Sequence, residues 1–463
     1  MAELHVGQGQ QYATLARAGA AAGAGDVVVV HEGVYREVLR PSAGTTWVGE
    51  TGAIIDGGWN REKMHPNEGT GRGVSILQPG VTVRGFEIRN VAGNGVSIGP
   101  GGDGATLANC EIHHTLNGAL STNGGGAPVR DVTVRQVYAH DISLSGRWYE
   151  TPVNGCFLFK HAYDALIEEC VIERGHGEGA AAGTRSKRVT FRRCRIGRTT
   201  HLLLYASNRA QDVVIEECVL YQLADEDEFR QRDGGIGHGI VVGDEVGANS
   251  EAGNWQHGEN VTVRGCLVVN AGAGVTLRNR VKTVGGVPDG YDTTIQNLVV
   301  EGCTFVTGNN SSAGVSITEN PRPGKSVRGT FRKNLFVFDQ LAAGGAALRN
   351  NAPGVTFDDN LWSGGVPASV PASNRPVAAS ALVAPFAPLG EFIDLDNYRP
   401  RAGGPLDGAG YGALEAAGTE PPPPDPDPDP EPEPVDWARL RTQAAAIGAE
   451  LDALIALIDE YAA

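Results

Sequence analysis

The chain has 463 residues, 65 glycines, few aromatic residues and a formal net charge of −16. This acidic balance argues against nucleic acid as a partner, because phosphate contacts need a surplus of lysine and arginine. No run of about 18 apolar residues occurs, so no membrane-spanning helix is expected. The segment "MAELHVGQGQ" lacks the basic and apolar regions of a secretion signal, so none is predicted.

Residues 1–30 are predicted to form an N-terminal cap and a first strand. The segment "YATLARAGAAAGAGDVVVV" reads as a short amphipathic helix followed by an apolar strand. Such a helix would cover the unpaired strand edges that are exposed at the end of a stack of strands.

Residues 31–365 contain an internal repeat. The segments "VTVRGFEIRN" at 81, "ATLANCEIHH" at 105, "VTFRRCRIGR" at 189 and "VVIEECVLYQ" at 213 align without gaps, and several starts lie 24 residues apart. Each segment reads as two short strands of alternating apolar residues that meet at a corner. A third strand follows, such as "NGVSI" at 94 or "AGVTL" at 273.

These three-strand repeats with glycine corners resemble the pectate-lyase-like superfamily. The resemblance covers roughly residues 5–415. It implies an all-β protein, a right-handed parallel β-helix solenoid, and a closing role for residues 366–419, which include "NYRPRAGGPLDGAGYG". The repeat is specific for the fold and says little about function, which depends on the residues of a site.

Six of the seven cysteines share one repeat position, the inward residue after the corner. They are Cys110, Cys170, Cys194, Cys218, Cys266 and Cys303. Stacked coils point their side chains in parallel, whereas a disulfide needs two Cβ atoms turned toward each other. We therefore expect a ladder of buried free thiols and no metal or redox cluster.

The C-terminal part of the sequence differs from the repeat. Residues 420–434, "EPPPPDPDPDPEPEP", are predicted to be an extended polyproline linker. Residues 435–463 are predicted to be an α-helix whose apolar residues follow a heptad spacing: Leu440, Ile447, Leu451, Leu454 and Ile458. This spacing fits a trimeric coiled coil, and a helix that docks on another protein is the alternative.

Four inserts interrupt the middle coils, at 143–154, 223–235, 244–260 and 280–293. Aromatic faces can stack on sugar rings, and guanidinium groups bind hydroxyls and carboxylates. The candidate glycan-binding residues in these inserts are Arg147, Trp148, Tyr149, Arg230, Arg232, Trp255 and Tyr291. In the alternative interpretation the inserts only fold over the solenoid.

An apolar stripe is predicted on the outside of the third strands. If Val96 and Ile98 point inward, the alignment turns the following residues outward: Leu120, Phe157, Phe159, Leu203, Tyr205 and Val241. An apolar stripe on the outside of a solenoid indicates an interface or is covered by inserts, and three solenoids packed side by side in a trimer would use it as an interface.

A second, local resemblance concerns catalysis. "GHGIVVGDEVG" and, one coil later, "GVTLRNR" resemble polygalacturonases. The resemblance implies a positioning or proton-relay role for His238 and a carboxylate-binding role for Arg278. The paired aspartates of that family are missing from the preceding coils. The acidic residues of the neighbouring insert could substitute or could only be surface charge on a loop: Asp225, Glu226, Asp227, Glu228 and Asp233. Alternatively, His238 fills an ordinary polar position of the repeat.

A lyase would need a basic residue beside C5 of a uronic acid, and Lys160 and Arg278 are candidates. Calcium would be a cofactor only for such a lyase, and no strand shows the acidic pairs that hold it in pectate lyases, so no cofactor is predicted.

Two functional hypotheses follow. In the first, the protein is a glycan-recognising spike, fibre or adhesin on a virion or cell surface, and the lack of a recognisable secretion signal favours a phage-type virion. It would be extracellular, oligomeric and attached through its C-terminal helix, with cell-surface or capsular polysaccharide as partner. In the second, it is a polysaccharide lyase or glycoside hydrolase with a groove on the middle coils.

Overall fold

The structure is a computed structural model that describes residues 1–60, 69–123, 127–145, 155–183, 185–207, 209–222, 236–246, 258–281, 283–284, 287–288, 294–308, 313–318, 327–339, 346–349, 352–387 and 393–414. The chain divides into two units, Met1–Thr419 and Glu420–Ala463. The second unit contains the predicted linker and C-terminal helix, which lie outside the described residues.

In the first unit the chain winds repeatedly through three parallel sheets. The first sheet contains Glu3–Val6, Val27–Val30, Thr46–Gly49, Thr82–Arg84, Thr106–Ala108, Thr133–Arg135, Ala162–Glu168, Lys187–Arg192, Gln211–Glu216, Gly258–Arg264, Ile295–Glu301, Val327–Arg332 and Val355–Asp358, with Val129–Arg130 paired beside Ala162–Glu168. The second contains Gly33–Tyr35, Ala53–Asp56, Glu87–Val91, Glu111–Thr115, Tyr138–Ile142, Val171–Gly175, Arg195–Gly197, Val219–Tyr221, Leu267–Val269, Thr304–Thr307, Leu335–Phe338, Leu361–Trp362 and Arg375–Pro376.

The third sheet contains Arg72–Ile76, Asn94–Ile98, Leu120–Asn123, Phe157–Lys160, Glu178–Ala182, Leu202–Ala206, His238–Val246, Ala273–Val281, Ala313–Thr318 and Ala346–Arg349. Thr283–Val284 and Val287–Pro288 form a separate antiparallel pair. The coils enclose one long apolar core, because alternate residues of each strand point inward. The predicted all-β parallel solenoid is confirmed.

An α-helix, Leu15–Ala21, packs at the N-terminal end of this core. Thr14 caps it by accepting a hydrogen bond from the backbone N–H of Arg17 at 3.3 Å. The Glu37 carboxylate accepts two more N–H groups, from Leu15 and Ala16, each at 3.0 Å. Leu15 and Ala18 are buried against the first coils, so the helix covers apolar side chains at that end. The described residues contain no helix long and apolar enough to cross a membrane.

A single residue makes the corner between the first two strands of a coil. It has a positive φ whether it is a glycine, as at Gly85, or a polar residue, as at Asn109, Glu169 and Arg193. The residue after the corner points inward, and these residues stack into one column: Phe86, Cys110, Val137, Cys170, Cys194, Cys218, Cys266, Cys303, Asn334 and Asn360. All seven cysteines of the chain are free and buried, which confirms the predicted thiol ladder.

The outer face of the first sheet carries a column of alternating charge on successive strands. Its members are Glu168, Arg192, Glu216, Arg264, Glu301 and Arg332. Arg192 lies 2.6 Å from Glu168, and the Nε atom of Arg332 donates to Glu301 at the same distance. Each exposed pair contributes little alone, but a column in one register favours the observed stacking of coils.

After the last coil, the chain folds back over the outer face of the second sheet. Two short 3-10 turns, Ala379–Ala381 and Leu395–Tyr398, belong to this segment. Four apolar side chains of this segment are buried there: Leu382, Ile393, Tyr398 and Leu406. They pack on outward apolar residues of the C-terminal coils, namely Tyr221, Leu267, Val306 and Leu335. The guanidinium of Arg195 also donates to the Ile393 carbonyl at 2.8 Å.

The predicted outward stripe of the third sheet is wrong for four of its six residues. Leu120 and Phe157 are in register with the inward Val96, and Phe159 continues the inward column of Ile98. Leu203 also packs in the main core. Tyr205 and Val241 alternate with inward residues and belong to a separate apolar cluster. Compared with the segment "NGVSI", the chain has one extra residue before the strand, Ala119 in one coil and Cys156 in the next. Because side chains alternate along a strand, the extra residue exchanges the positions that point inward and outward.

Candidate functional site

The outer face of the third sheet carries a buried apolar cluster. It consists of Leu158, Ala181, Leu202, Tyr205 and Val241, all less than 9% exposed. The strands at both ends of the sheet have Ser97, Ser121 and Ser316 in the column of Tyr205. Because the cluster is buried within the chain itself, it does not form the exposed trimer interface that the sequence suggested.

Beside this cluster runs a second outward column, which we name the Lys160–Arg278 column. Gly243 pairs with Arg278 in this column. On the preceding strands the column continues through the residues that directly follow the last paired positions, namely Lys160, Gly183 and Ser207. The two cations are four strands apart, and at about 4.8 Å per strand this separates their Cα atoms by about 19 Å. The three residues between them are small.

The glycines of this column allow neighbouring side chains to lie across it. A Cβ atom at Gly243 would be 2.8 Å from the Tyr205 hydroxyl, so the phenol end of Tyr205 lies over that glycine. A Cβ atom at Gly183 would be 3.1 Å from Cγ of Lys160, so the lysine stem extends over it. In order along the column lie the Lys160 ammonium group, the Ser207 hydroxyl, the Tyr205 phenol and the Arg278 guanidinium, and of these Ser207 and Tyr205 are buried.

Arg278 is the unusual member of this column. Its Nε atom is buried and has no hydrogen-bond partner among the described residues. A buried N–H without an acceptor costs about 1–3 kcal/mol, so a ligand oxygen placed there would offset a cost already present.

His238 lies away from this column. Its Nδ1 atom is 3.1 Å from the Thr276 hydroxyl, and its strand position is that of Glu178 and Leu202. Arg278 is in register with Gly243, five residues further along the strand, or about 16 Å. The structure therefore does not place His238 and Arg278 in one catalytic centre.

Several predicted site residues lie outside the described part of the chain. They are Asp233 and all seven candidate glycan-binding residues, namely Arg147, Trp148, Tyr149, Arg230, Arg232, Trp255 and Tyr291. The C-terminal interface residues Leu440, Ile447, Leu451, Leu454 and Ile458 also lie outside it.

The outer face of the second sheet carries a polar row that the sequence reasoning missed. On successive strands it contains Asp56, then Glu87 and Arg89, then Glu111 and His113, then His140. The rings of His113 and His140 stack with centroids 4.9 Å apart. The signal was present in the aligned segments "FEIRN", "CEIHH" and "VYAHD", whose outward positions are all polar.

An open cavity of about 510 Å³ lies at the N-terminal end of this row. It is lined by Arg36, Asp56, Gly58, Trp59, Asn60, Arg89, Asn90, His113 and His114, and we name it the second-sheet groove. A cavity of this volume is within the usual range of small-molecule sites.

Comparison with known proteins agrees with the coil geometry. Residues 72–286 match the family model of the right-handed β-helix region. The fold is that of a right-handed parallel β-helix. Among solved structures, a rhamnogalacturonan lyase superposes with a TM-score of 0.53 at 13% identity, covering 84% of this chain and 92% of the lyase.

A second structure, of the Streptococcus pneumoniae surface protein and adhesin PfbA, has a TM-score of 0.50 at 10% identity. That match covers 76% of the β-helix protein and 91% of PfbA. No curated protein sequence matches it. Identities this low establish the fold alone.

Charge in the polar row of this β-helix protein is fixed by close pairs. Burial opposes a charge on His140, but hydrogen bonds to Asp141 and Glu111 outweigh it and raise the pKa of His140 to about 9. Burial likewise opposes ionisation of Asp141, yet His140 and Arg174 hold its pKa well below the usual range. Among the described residues, no group of histidine, cysteine and acidic side chains could hold a metal ion.

Proposed function

We propose that the protein binds a polysaccharide along the outer face of its third sheet, with the Lys160–Arg278 column as the central contact. The observation that carries this proposal is Arg278, whose buried Nε atom has no acceptor within the described chain. A sugar carboxylate or hydroxyl would supply that acceptor.

The rest of the column supports an extended ligand. Lys160 is exposed at the far end of the column. Two cations about 19 Å apart suit acidic groups that repeat along a polymer. Lys160 and Arg278 both lie in strands of a stacked sheet, so the sheet fixes the positions of their backbones.

The biological setting is part of the same proposal. We infer a surface spike, fibre or adhesin, at a cell surface or on a virion, whose ligand is a cell-surface or capsular polysaccharide. The helix at residues 435–463 would mediate self-association into a trimer, or it would dock on another surface protein.

A lyase acting on an acidic polysaccharide is the second candidate. Lys160 or Arg278, in its neutral deprotonated form, could accept the proton from C5 of a uronic acid, and the C4–O bond would then break to leave the unsaturated uronate; both side chains lie on the proposed polysaccharide face. Lyase products are unsaturated uronates that absorb in the ultraviolet, whereas simple binding produces no such signal.

A glycan array followed by calorimetry tests the proposal. The double variant Lys160→Ala/Arg278→Ala should lose about tenfold in affinity for each cation removed, because charge-assisted hydrogen bonds are lost. The control Arg328→Ala/Lys333→Ala removes the same charge from exposed positions of the first sheet and its corner. Equal loss in both double variants, or in neither, would refute the assignment.

A further inference from the structure

The second-sheet groove is separate from the proposed polysaccharide face, because it lies on a different sheet of the solenoid. Its lining consists mainly of arginine, asparagine and histidine side chains, which offer hydrogen-bond donors. We propose that this groove is a second binding site, for an oxyanion carried by an acidic sugar, either a carboxylate or a sulfate.

The acidic residues at the groove are already engaged by donors. One Asp56 oxygen accepts the Gly58 N–H at 2.8 Å, and the other accepts Arg89 at 3.1 Å and Asn90 at 3.2 Å. Burial opposes ionisation of Asp56, but these hydrogen bonds lower its pKa. Asp56 therefore stays ionised, and its role is to hold the donors Arg89 and Asn90 in place.

Glu87 is engaged in the same way. Its Oε1 atom accepts Arg89 Nη1 at 2.8 Å and lies 3.2 Å from Nε2 of His113. The hydrogen bond with His113 is the main reason that the pKa of Glu87 is lowered. Both carboxylates nearest the groove are thus compensated by cations or donors of the protein, which reduces their repulsion of an anionic ligand.

Arg36 provides the charge that remains for a ligand. It lines the groove beside Gly58, where an added Cβ atom would be 3.6 Å from its Nη1 atom. Within the described residues Arg36 makes no ion pair or hydrogen bond, unlike Arg89. A guanidinium binds a carboxylate or sulfate through two parallel hydrogen bonds.

The position of the closing segment agrees with a free groove. That segment packs on the apolar outer residues of the second sheet from Tyr221 onward. The earlier coils carry Glu87, Arg89 and His113 at the matching outward positions, which are polar and unsuited to the same packing. The closing segment therefore covers the C-terminal coils of this sheet, whereas the polar outer residues of the earlier coils line the groove.

The experiment is calorimetric titration in the Lys160→Ala/Arg278→Ala background, which removes the first proposed site. The probes are an oligogalacturonate, the same oligosaccharide with its carboxylates reduced to alcohols, and a sulfated oligosaccharide. We expect one acidic probe to bind, the neutral probe to bind at least tenfold more weakly, and Arg36→Ala to reduce acidic binding about tenfold. The charge-matched control Arg84→Ala, on the first sheet, should leave binding unchanged.

The two acidic probes distinguish a carboxylate from a sulfate ligand. Equal binding of acidic and neutral probes, no binding of either acidic probe, or an unchanged affinity in Arg36→Ala would overturn the proposal. If the Lys160→Ala/Arg278→Ala protein loses binding of the array glycan but still binds an acidic probe at the groove, the two sites are separate. If only the proposal for the first site fails, the comparison with Arg36→Ala still tests the groove.

Discussion

The asparagine ladder at the C-terminal end of the column offers a quantitative test of the fold. The Asn360 side chain is fully buried. Its oxygen accepts the backbone N–H and the side-chain amide of Asn334, at 3.0 and 2.9 Å. Its own amide donates to the Phe331 carbonyl at 2.9 Å and to Asn374 at 3.0 Å.

An Asn360→Ala change removes all four hydrogen bonds and leaves buried groups of Asn334 and Phe331 without partners. At about 1 kcal/mol for each bond, with a larger penalty for stranded groups, local stability should fall by about 3–5 kcal/mol. Amide hydrogen exchange is the suitable assay, because a solenoid can open locally. A loss of 3 kcal/mol corresponds to exchange about 150-fold faster in residues 329–362.

The control for this measurement is Thr356→Ala, an exposed position on the neighbouring strand. It should change local stability by less than about 0.5 kcal/mol. If Asn360→Ala exchanges no faster than Thr356→Ala, the ladder does not stabilise the terminal coils and the reasoning from buried polar pairing is wrong.

Three further predictions concern charge, thiols and assembly. The pKa of His140 is raised in the folded state, so its stabilising contribution should be complete below about pH 6.5 and should be lost as the pH rises through about 9. The His140→Phe change should flatten this part of the profile of stability against pH. An unchanged profile would contradict the assignment. Burial raises the pKa of Cys110 and Cys156 to about 12, so native protein should react with iodoacetamide only after unfolding, which mass spectrometry can show. Deletion of residues 420–463 should lower the oligomeric mass in light scattering, and an unchanged mass would argue against self-association through that segment.

The solenoid was predictable because its signal is repeated. Cysteines at one offset from each corner predicted an inward column, and that column continues as Asn334 and Asn360. Because the same position recurs in many coils, the pattern remains recognisable even where one coil departs from it.

The orientation of the third strands was less predictable. Aligning "NGVSI" with "NGALS" matches Val96 to Ala119, whereas the structure pairs Val96 with Leu120. One added residue before the strand reverses its two faces, and sequence spacing alone does not show where the chain absorbs that residue.

The polar row was visible in the sequence but lacked a reason to be singled out. Charged and histidine residues at outward positions are ordinary on a solenoid surface. Only the register shows that Asp56, Arg89 and His113 stand on adjacent strands beside an open cavity. Similarly, no motif records the packing that leaves the Nε atom of Arg278 without a hydrogen-bond partner among the described residues.

The most direct test of the central claim is a crystal structure with a bound oligosaccharide identified by the glycan array. We expect ligand atoms within hydrogen-bonding distance of Arg278 and Lys160, along the outer face of the third sheet. A ligand bound only to the first sheet, with Lys160 and Arg278 uncontacted, would contradict it.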